Sequence, residues 1–203
     1  MENRYGMMLI NIRYYLKNSS QQNNKEQLED NQCTYVGVLG VAGGNGLDNI
    51  DILTTQKVYA VDINRNYLDI CKQRYEYLGS TLEILCGDLI DDAVVLPYTN
   101  LLICNLIIEY IGEKEFISII YKNKINIDVI SCVIQKNNDN SFISNSELNS
   151  HFEPILFIHH DIDENKLKYL FSTIKFTCIK YKKIYFQMVR NLLEWTLDAN
   201  NLY

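Results

Sequence analysis

Five of the nine glycines fall between Gly37 and Gly46, in the run Val-Gly-Val-Leu-Gly-Val-Ala-Gly-Gly-Asn-Gly that starts at Val36. Glycine permits positive φ and lets a ligand approach the backbone closely. A helix that starts beyond such a turn offers unpaired N–H groups. The bland alternative is a tight strand-to-helix turn that binds nothing. Asp62 follows 16 residues after Gly46. A carboxylate at that place can accept hydrogen bonds from both vicinal hydroxyls of a ribose. It can also cap a helix, since Ile63-Asn64 and a helical stretch come next. A second acid, Asp88, lies in Cys86-Gly-Asp88, where it could meet the exocyclic amine of an adenine. A third polar position, Asn105, opens Asn105-Leu-Ile-Ile-Glu-Tyr110.

Each of these groups stands at the end of an apolar run. Tyr35 to Leu39, Lys57 to Val61, Thr81 to Cys86 and Asn100 to Cys104 read as strands. A fifth strand is predicted over Ile127 to Ile134. Phe176 to Tyr181 and Ile184 to Asn191 are expected as two final antiparallel strands. Between them the spacing predicts helices over Leu47 to Leu53, Asn64 to Leu78, Glu113 to Tyr121 and Asp163 to Ser172. Glu147 to Phe152 forms a further short segment after a polar loop. Near-continuous apolar strands alternating with helices imply a parallel sheet covered on both faces. Its crossovers should be right-handed. The expected fold class is therefore α/β: a Rossmann-like, doubly wound, seven-stranded and mostly parallel sheet with a C-terminal antiparallel hairpin.

Residues 1–30 read as an N-terminal helical segment and linker, a candidate substrate lid, and residues 31–203 as the main domain. In the first part, Met8, Ile12, Tyr15 and Leu16 share a helical face. The polar run Asn18 to Asn24 reads as loop. Tyr5, Tyr14 and Tyr15 could cover a cation or an apolar substrate.

The glycine turn and Asp62 suit either a nicotinamide-dependent dehydrogenase or a methyltransferase. The ordered set of signals at four successive strand ends resembles the class I S-adenosylmethionine-dependent methyltransferases, over about Thr34 to Asn191. The stretches Asn-Leu-Ile-Ile-Glu-Tyr and His-His-Asp-Ile are similar to those of a small bacterial subfamily of unassigned substrate. The resemblance implies S-adenosylmethionine as cofactor. Gly40, Val41, Ala42, Gly44, Asn45 and Gly46 would wrap its methionine. Asp62 and Ile63 would hold the ribose, and Asp88 with Leu89 the adenine. Asn105 and Leu106 would lie beside the methionine and the methyl group. The chain departs from the family pattern where an acid usually precedes Gly-x-Gly-x-Gly. Gly40 takes the acidic position and Ala42 that of the first glycine. The contact to the cofactor's amino group must then come from elsewhere, such as a backbone carbonyl or the N-terminal segment.

Methyl transfer is an in-line displacement at an activated sulfonium, so positioning dominates. A base is needed only for an acceptor proton of high pKa. The candidates are Glu109, Tyr110 and His159, with His151 and His160 nearby in sequence. Glu109 reads alternatively as a solvated residue at a helix entry, and the histidines as structural groups beside a helix N-cap. No Asn/Asp-Pro-Pro-aromatic motif is present, which argues mildly against methylation of base or amide amino groups.

The 203 residues carry a net charge of -6, with 19 Lys plus Arg. This disfavours a nucleic-acid groove. Lys180 and Lys182-Lys183 form the densest basic cluster. The chain is little longer than the core fold, which favours a small-molecule acceptor. The alternatives are a protein or RNA methyltransferase working with a partner, and a non-catalytic S-adenosylmethionine-binding regulatory or scaffold protein. Six cysteines, at 33, 71, 86, 104, 132 and 178, form no metal-ligand spacing. Free cysteines in apolar runs act as small hydrophobes and point to a reducing, cytoplasmic setting. No run reaches the roughly 18 apolar residues of a membrane span. Neither a metal nor a membrane is expected.

Overall fold

The computed structural model describes residues 24–31, 33–137, 160–185 and 190–199. The expected amphipathic face over Met8 to Leu16, the segment Glu147 to Phe152, and His151 and His159 lie outside the described residues. Seven strands form one sheet: β1 (Tyr35–Leu39), β2 (Lys57–Asp62), β3 (Leu82–Cys86), β4 (Thr99–Asn105), β5 (Ile127–Asn137), β6 (Thr177–Tyr185) and β7 (Arg190–Asp198). Their order is β3-β2-β1-β4-β5-β7-β6. The first five pair in parallel, and β7 pairs antiparallel with both β5 and β6. The chain runs outward from β1 to β3, then returns to β4. The order therefore reverses between β1 and β4, and the crevice at their carboxyl ends is where such sheets bind ligands.

The described helices are α1 (residues 24–31), α2 (Arg65–Arg74), α3 (Ile108–Ile111), α4 (Glu113–Asn123) and α5 (Glu164–Thr173). Alternate strand residues feed two separate cores. Val36, Val38, Ala60, Leu101 and Ile103 meet Leu68, Cys71 and Tyr75 of the α2 region and Leu28 of α1. Leu39, Val61, Leu102, Cys104, Cys132 and Trp195 meet Phe116 and Ile120 of α4 and Leu167 and Phe171 of α5. This is the doubly wound sheet with a terminal hairpin that the sequence predicts.

Four local expectations change. No helix spans Leu47 to Leu53: a single 3-10 turn, Leu47–Asn49, is followed by a turn that Asp51 closes, accepting from the N–H groups of Leu53, Thr54 and Thr55. Asp and Asn compete with helix by such local bonds. The helix over Asn64 to Leu78 ends at Arg74, and Asn64, not Asp62, is its N-cap, accepting from Asn66 and Tyr67 N–H. The two C-terminal strands are displaced. β6 runs through Lys182-Lys183, and β7 starts at Arg190. On the edge strand β6, charged side chains are tolerated beside Tyr181, so the polar cluster is not a turn. Finally, residues 24–31 are helical rather than linker.

All six cysteines are free thiols. Cys33, Cys71, Cys104 and Cys132 are buried, whereas Cys86 and Cys178, both on the two outermost strands, are exposed. Among the described residues, no helix is long and apolar enough to cross a membrane. No cluster of three metal-ligating side chains occurs among them.

Candidate active site

The glycine turn is held to the end of β2. The N–H groups of Gly40 and Val41 donate to Val61 O at 2.9 and 3.2 Å. The Ala42 N–H donates to Asp62 Oδ2 at 2.8 Å, and the Asn64 N–H donates to Asp62 Oδ1 at 2.8 Å. Asp62 thus ties the turn after β1 to the turn after β2. A carboxylate has about four lone-pair sites, so capacity for two further donors is left. Ala42 adopts φ 49° and Leu106, after β4, adopts φ 56°. Left-handed backbone at non-glycine residues costs about 1–2 kcal/mol each and gathers at ligand sites. Here the two strained residues flank the crevice between β1 and β4.

The glycines have divided duties. Gly40 lies at φ 65°, and a Cβ there would sit 2.7 Å from Ile107 Cδ1. An acid at that position would require Ile107 to shift and a side-chain-bearing residue to adopt left-handed backbone. A Cβ added at Gly44 would lie 2.2 Å from the Tyr75 ring, and one added at Gly46 would lie 1.3 Å from the Asn24 amide. These two glycines therefore make room for neighbouring side chains. Gly43 is different: an added Cβ would meet only Ile70 at 3.8 Å. Its open side is available to a ligand.

Helix α1 supplies residues that sequence reasoning missed. Its inward stripe is Asn24, Gln27, Leu28 and Asn31, and all but Leu28 are polar. Asn24 Nδ2 donates to Asn45 O at 3.2 Å. Asn105 Nδ2 donates to Asn24 Oδ1 and, at 2.9 Å, to Gln27 Oε1. Gln27 Nε2 donates to Asn105 Oδ1 at 3.0 Å and to Ser131 Oγ at 2.8 Å. The end of β4, the glycine turn and α1 are joined by this amide network. Two lysines of β6 pin the helix to the sheet edge, Lys182 to Glu26 and Lys180 to Asp30.

The remaining predicted residues are placed as follows. Ile63 projects from the end of β2 and is 66% exposed. Asp88 Oδ1 accepts from the Ile90 N–H at 3.0 Å in an Asx turn, and Leu89 is half-buried against the α4–α5 core. Val41 is buried, and the Leu106 N–H donates to Val133 O at 2.8 Å.

Glu109 is not solvated: it is 2% exposed on α3. Its Oε1 accepts from the Gln135 N–H at 2.6 Å, and its Oε2 is buried without a partner. Burial pushes its pKa up to about 7. Tyr110 is exposed, and its phenol pKa is raised by partial burial and by Glu109. The His160 N–H donates to Glu109 O at 2.7 Å, with its ring beside Gly112. Thus Glu109 braces the β4–β5 ends, while the glycine turn, Asp62, Leu106 and Asn105 are the groups brought together.

No protein-family model and no curated protein matches the sequence. Solved structures do match in shape. An S-adenosylmethionine-dependent methyltransferase from Clostridium acetobutylicum superposes with TM-score 0.65 at 12% identity, over 97% of this chain and 98% of that one. Magnesium protoporphyrin IX methyltransferase from Synechocystis, with bound S-adenosylhomocysteine, gives 0.64 at 11%, over 92% and 85%. The pyocyanin biosynthetic protein PhzM gives 0.60 at 13%, over 89% of this chain and 55% of its own longer one. The chain has the fold of the S-adenosylmethionine-dependent methyltransferases.

Proposed function

We propose that the protein is an S-adenosylmethionine-dependent methyltransferase acting on a small-molecule acceptor. The observation that carries this reading is the Asp62 carboxylate, fixed by two backbone N–H groups between the glycine turn and β2 with acceptor capacity to spare. Ribose hydroxyls are suitable donors for that capacity. Ile63, exposed beside it, and Leu89 supply apolar surface for a purine. The open backbone at Gly43 admits the methionine part. On this reading the acceptors that an acid at position 40 would supply come from α1 and the glycine turn: Asn24 Oδ1 and the Asn45 carbonyl each accept one hydrogen bond and keep a second lone pair for an amino group.

The cofactor, when bound, supplies a methyl group on a sulfonium, which needs no further activation. The chain's part is to hold the acceptor in line with that methyl and to exclude water. Asp62 and the glycine turn fix one end of the site, and Asn105, held by Gln27 and Asn24, fixes the other. Tyr110 and His159 are proposed to contact the acceptor. Glu109 is proposed to position β5 rather than to take a proton. The acidic charge balance supports a small acceptor over a nucleic acid. The test is release of S-adenosylhomocysteine from S-adenosylmethionine with panels of small amines, alcohols and thiols. Turnover with one class is expected. Cofactor binding without turnover on any class would instead indicate a non-catalytic cofactor-binding protein.

A further inference from the structure

Glu194, in β7, is 1% exposed, and neither carboxylate oxygen has a hydrogen-bond partner. A buried carboxylate without a partner is costly, and such groups in native proteins call for an explanation. The two nearest cations do not supply one. Lys182 is the cross-strand neighbour of Glu194, but its ammonium is bound to Glu26, and that of Lys180 to Asp30. Three carboxylates, Glu26, Asp30 and Glu194, therefore share two ammonium groups. The buried one has neither ammonium bound to it: Lys180 and Lys182 favour its charged form from a distance, while burial, the larger effect, pushes its pKa up.

Its position gives that carboxylate a use. Asn105 pairs with Val133, and Val133 pairs with Glu194. Cross-strand partners carry their side chains on one face, so Asn105 and Glu194 lie in one row on the α1 face. Two strand spacings put their backbones about 10 Å apart. On the methyltransferase reading the cofactor spans the ends of β3, β2, β1 and β4. The acceptor must then approach from the β5–β7 side, where Glu194 waits. The way in is the Glu26–Lys182 pair, whose side chains are 31% and 40% exposed. Part-exposed ion pairs between long side chains are weakly held, so this pair can part to admit a competing cation.

We infer that Glu194 is the anchor for an aliphatic ammonium group on the methyl acceptor, which enters between α1 and β6 by displacing Lys182. The inference rests on the proposed methyltransferase function and adds the substrate class. Glu194 is a recognition residue on this account, and the anchored nitrogen need not be the atom that receives the methyl group.

The experiment titrates the full chain, saturated with S-adenosylhomocysteine, with matched cationic and neutral probes. Putrescine is compared with 1,4-butanediol, and ethanolamine with ethylene glycol. The amines should bind and the diols should not. Glu194→Gln keeps the shape of the side chain and should weaken amine binding at least tenfold while leaving S-adenosylhomocysteine affinity within threefold. Lys182→Ala removes the competing cation and should tighten amine binding severalfold. Equal response to amines and diols, or unchanged amine affinity in Glu194→Gln, overturns the inference alone. Failure of the unmodified chain to bind S-adenosylhomocysteine overturns the methyltransferase reading and this one with it.

Discussion

Removing the Asp62 carboxylate should damage both the fold and the cofactor site, by separable amounts. The side chain accepts two backbone hydrogen bonds at 2.8 Å each, from Ala42 and Asn64. Hydrogen bonds to a charged group contribute about 1.5–3 kcal/mol each. Asp62 is half-buried, so the lower figure applies, and Asp62→Ala should cost about 3 kcal/mol of stability. Asp62→Asn keeps one acceptor oxygen and loses the other, so it should cost about half as much. Urea unfolding of the three proteins measures these differences. Cofactor affinity in the variants, measured where they remain folded, should fall by a further ~1–3 kcal/mol, or about 5- to 150-fold. Stability of Asp62→Ala within about 0.5 kcal/mol of the parent, the scale of an indifferent surface change, would refute the tethering role. Unchanged affinity for S-adenosylmethionine would refute the ribose assignment whatever the stability showed.

Two further perturbations separate packing from function. Gly44→Ala puts a methyl group into the Tyr75 ring at φ 96° and should cost about 2–4 kcal/mol from strain and overpacking together. Gly43→Ala meets no such obstacle, and its stability in urea should be unchanged or raised by up to about 1 kcal/mol. Its S-adenosylmethionine affinity should nonetheless fall roughly tenfold, about 1.4 kcal/mol, if a ligand lies on that backbone. Retained affinity would make the turn purely structural. Glu109 gives a pH signature. Its pKa is raised by burial from 4.5 to about 7, so between those values the folded chain keeps a proton that the unfolded chain has lost. Stability from this group is full below about pH 4.5 and falls as pH rises towards 7, by about 3 kcal/mol in all. Glu109→Gln removes that slope, and its stability relative to the parent should rise by this amount from about pH 4.5 to about pH 8. A flat difference would show that Glu109 does not titrate in that window.

The strands of the sheet were legible because each buried strand is an apolar run ending in a conspicuous residue. Gly40, Asp62, Asp88 and Asn105 all stand at strand ends as the spacing implies. What was not legible depended on polar residues filling places usually held by core residues. The inward stripe of α1 is Asn24, Gln27, Leu28 and Asn31 with one apolar member, so no hydrophobic period marks the helix, although Lys25, Glu26, Gln27, Leu28 and Glu29 are strong helix formers. The signal that could have found it is that propensity, with Lys25 and Glu29 spaced as an i,i+4 pair. Lys180, Lys182 and Glu194 shifted the bounds of the expected hairpin strands for a related reason: the lysine charges are matched by Glu26 and Asp30 of α1, which the local sequence does not show. Glu109 reads from sequence as a candidate base or, alternatively, as a solvated residue, because a glutamate at a helix entry is usually exposed. Only the tertiary packing reveals that it is buried against β5. The glycines carry a second reason for being glycine that the sequence does not show, since at Gly40, Gly44 and Gly46 the place of the absent Cβ is filled by Ile107, Tyr75 and Asn24.

The central claim is that the crevice between β1 and β4 holds S-adenosylmethionine. Calorimetric titration of the full chain with S-adenosylmethionine, S-adenosylhomocysteine and NAD tests it most directly. The account predicts micromolar binding of the two methionine derivatives and no heat with NAD. Binding of NAD, or binding of none of the three, would contradict it.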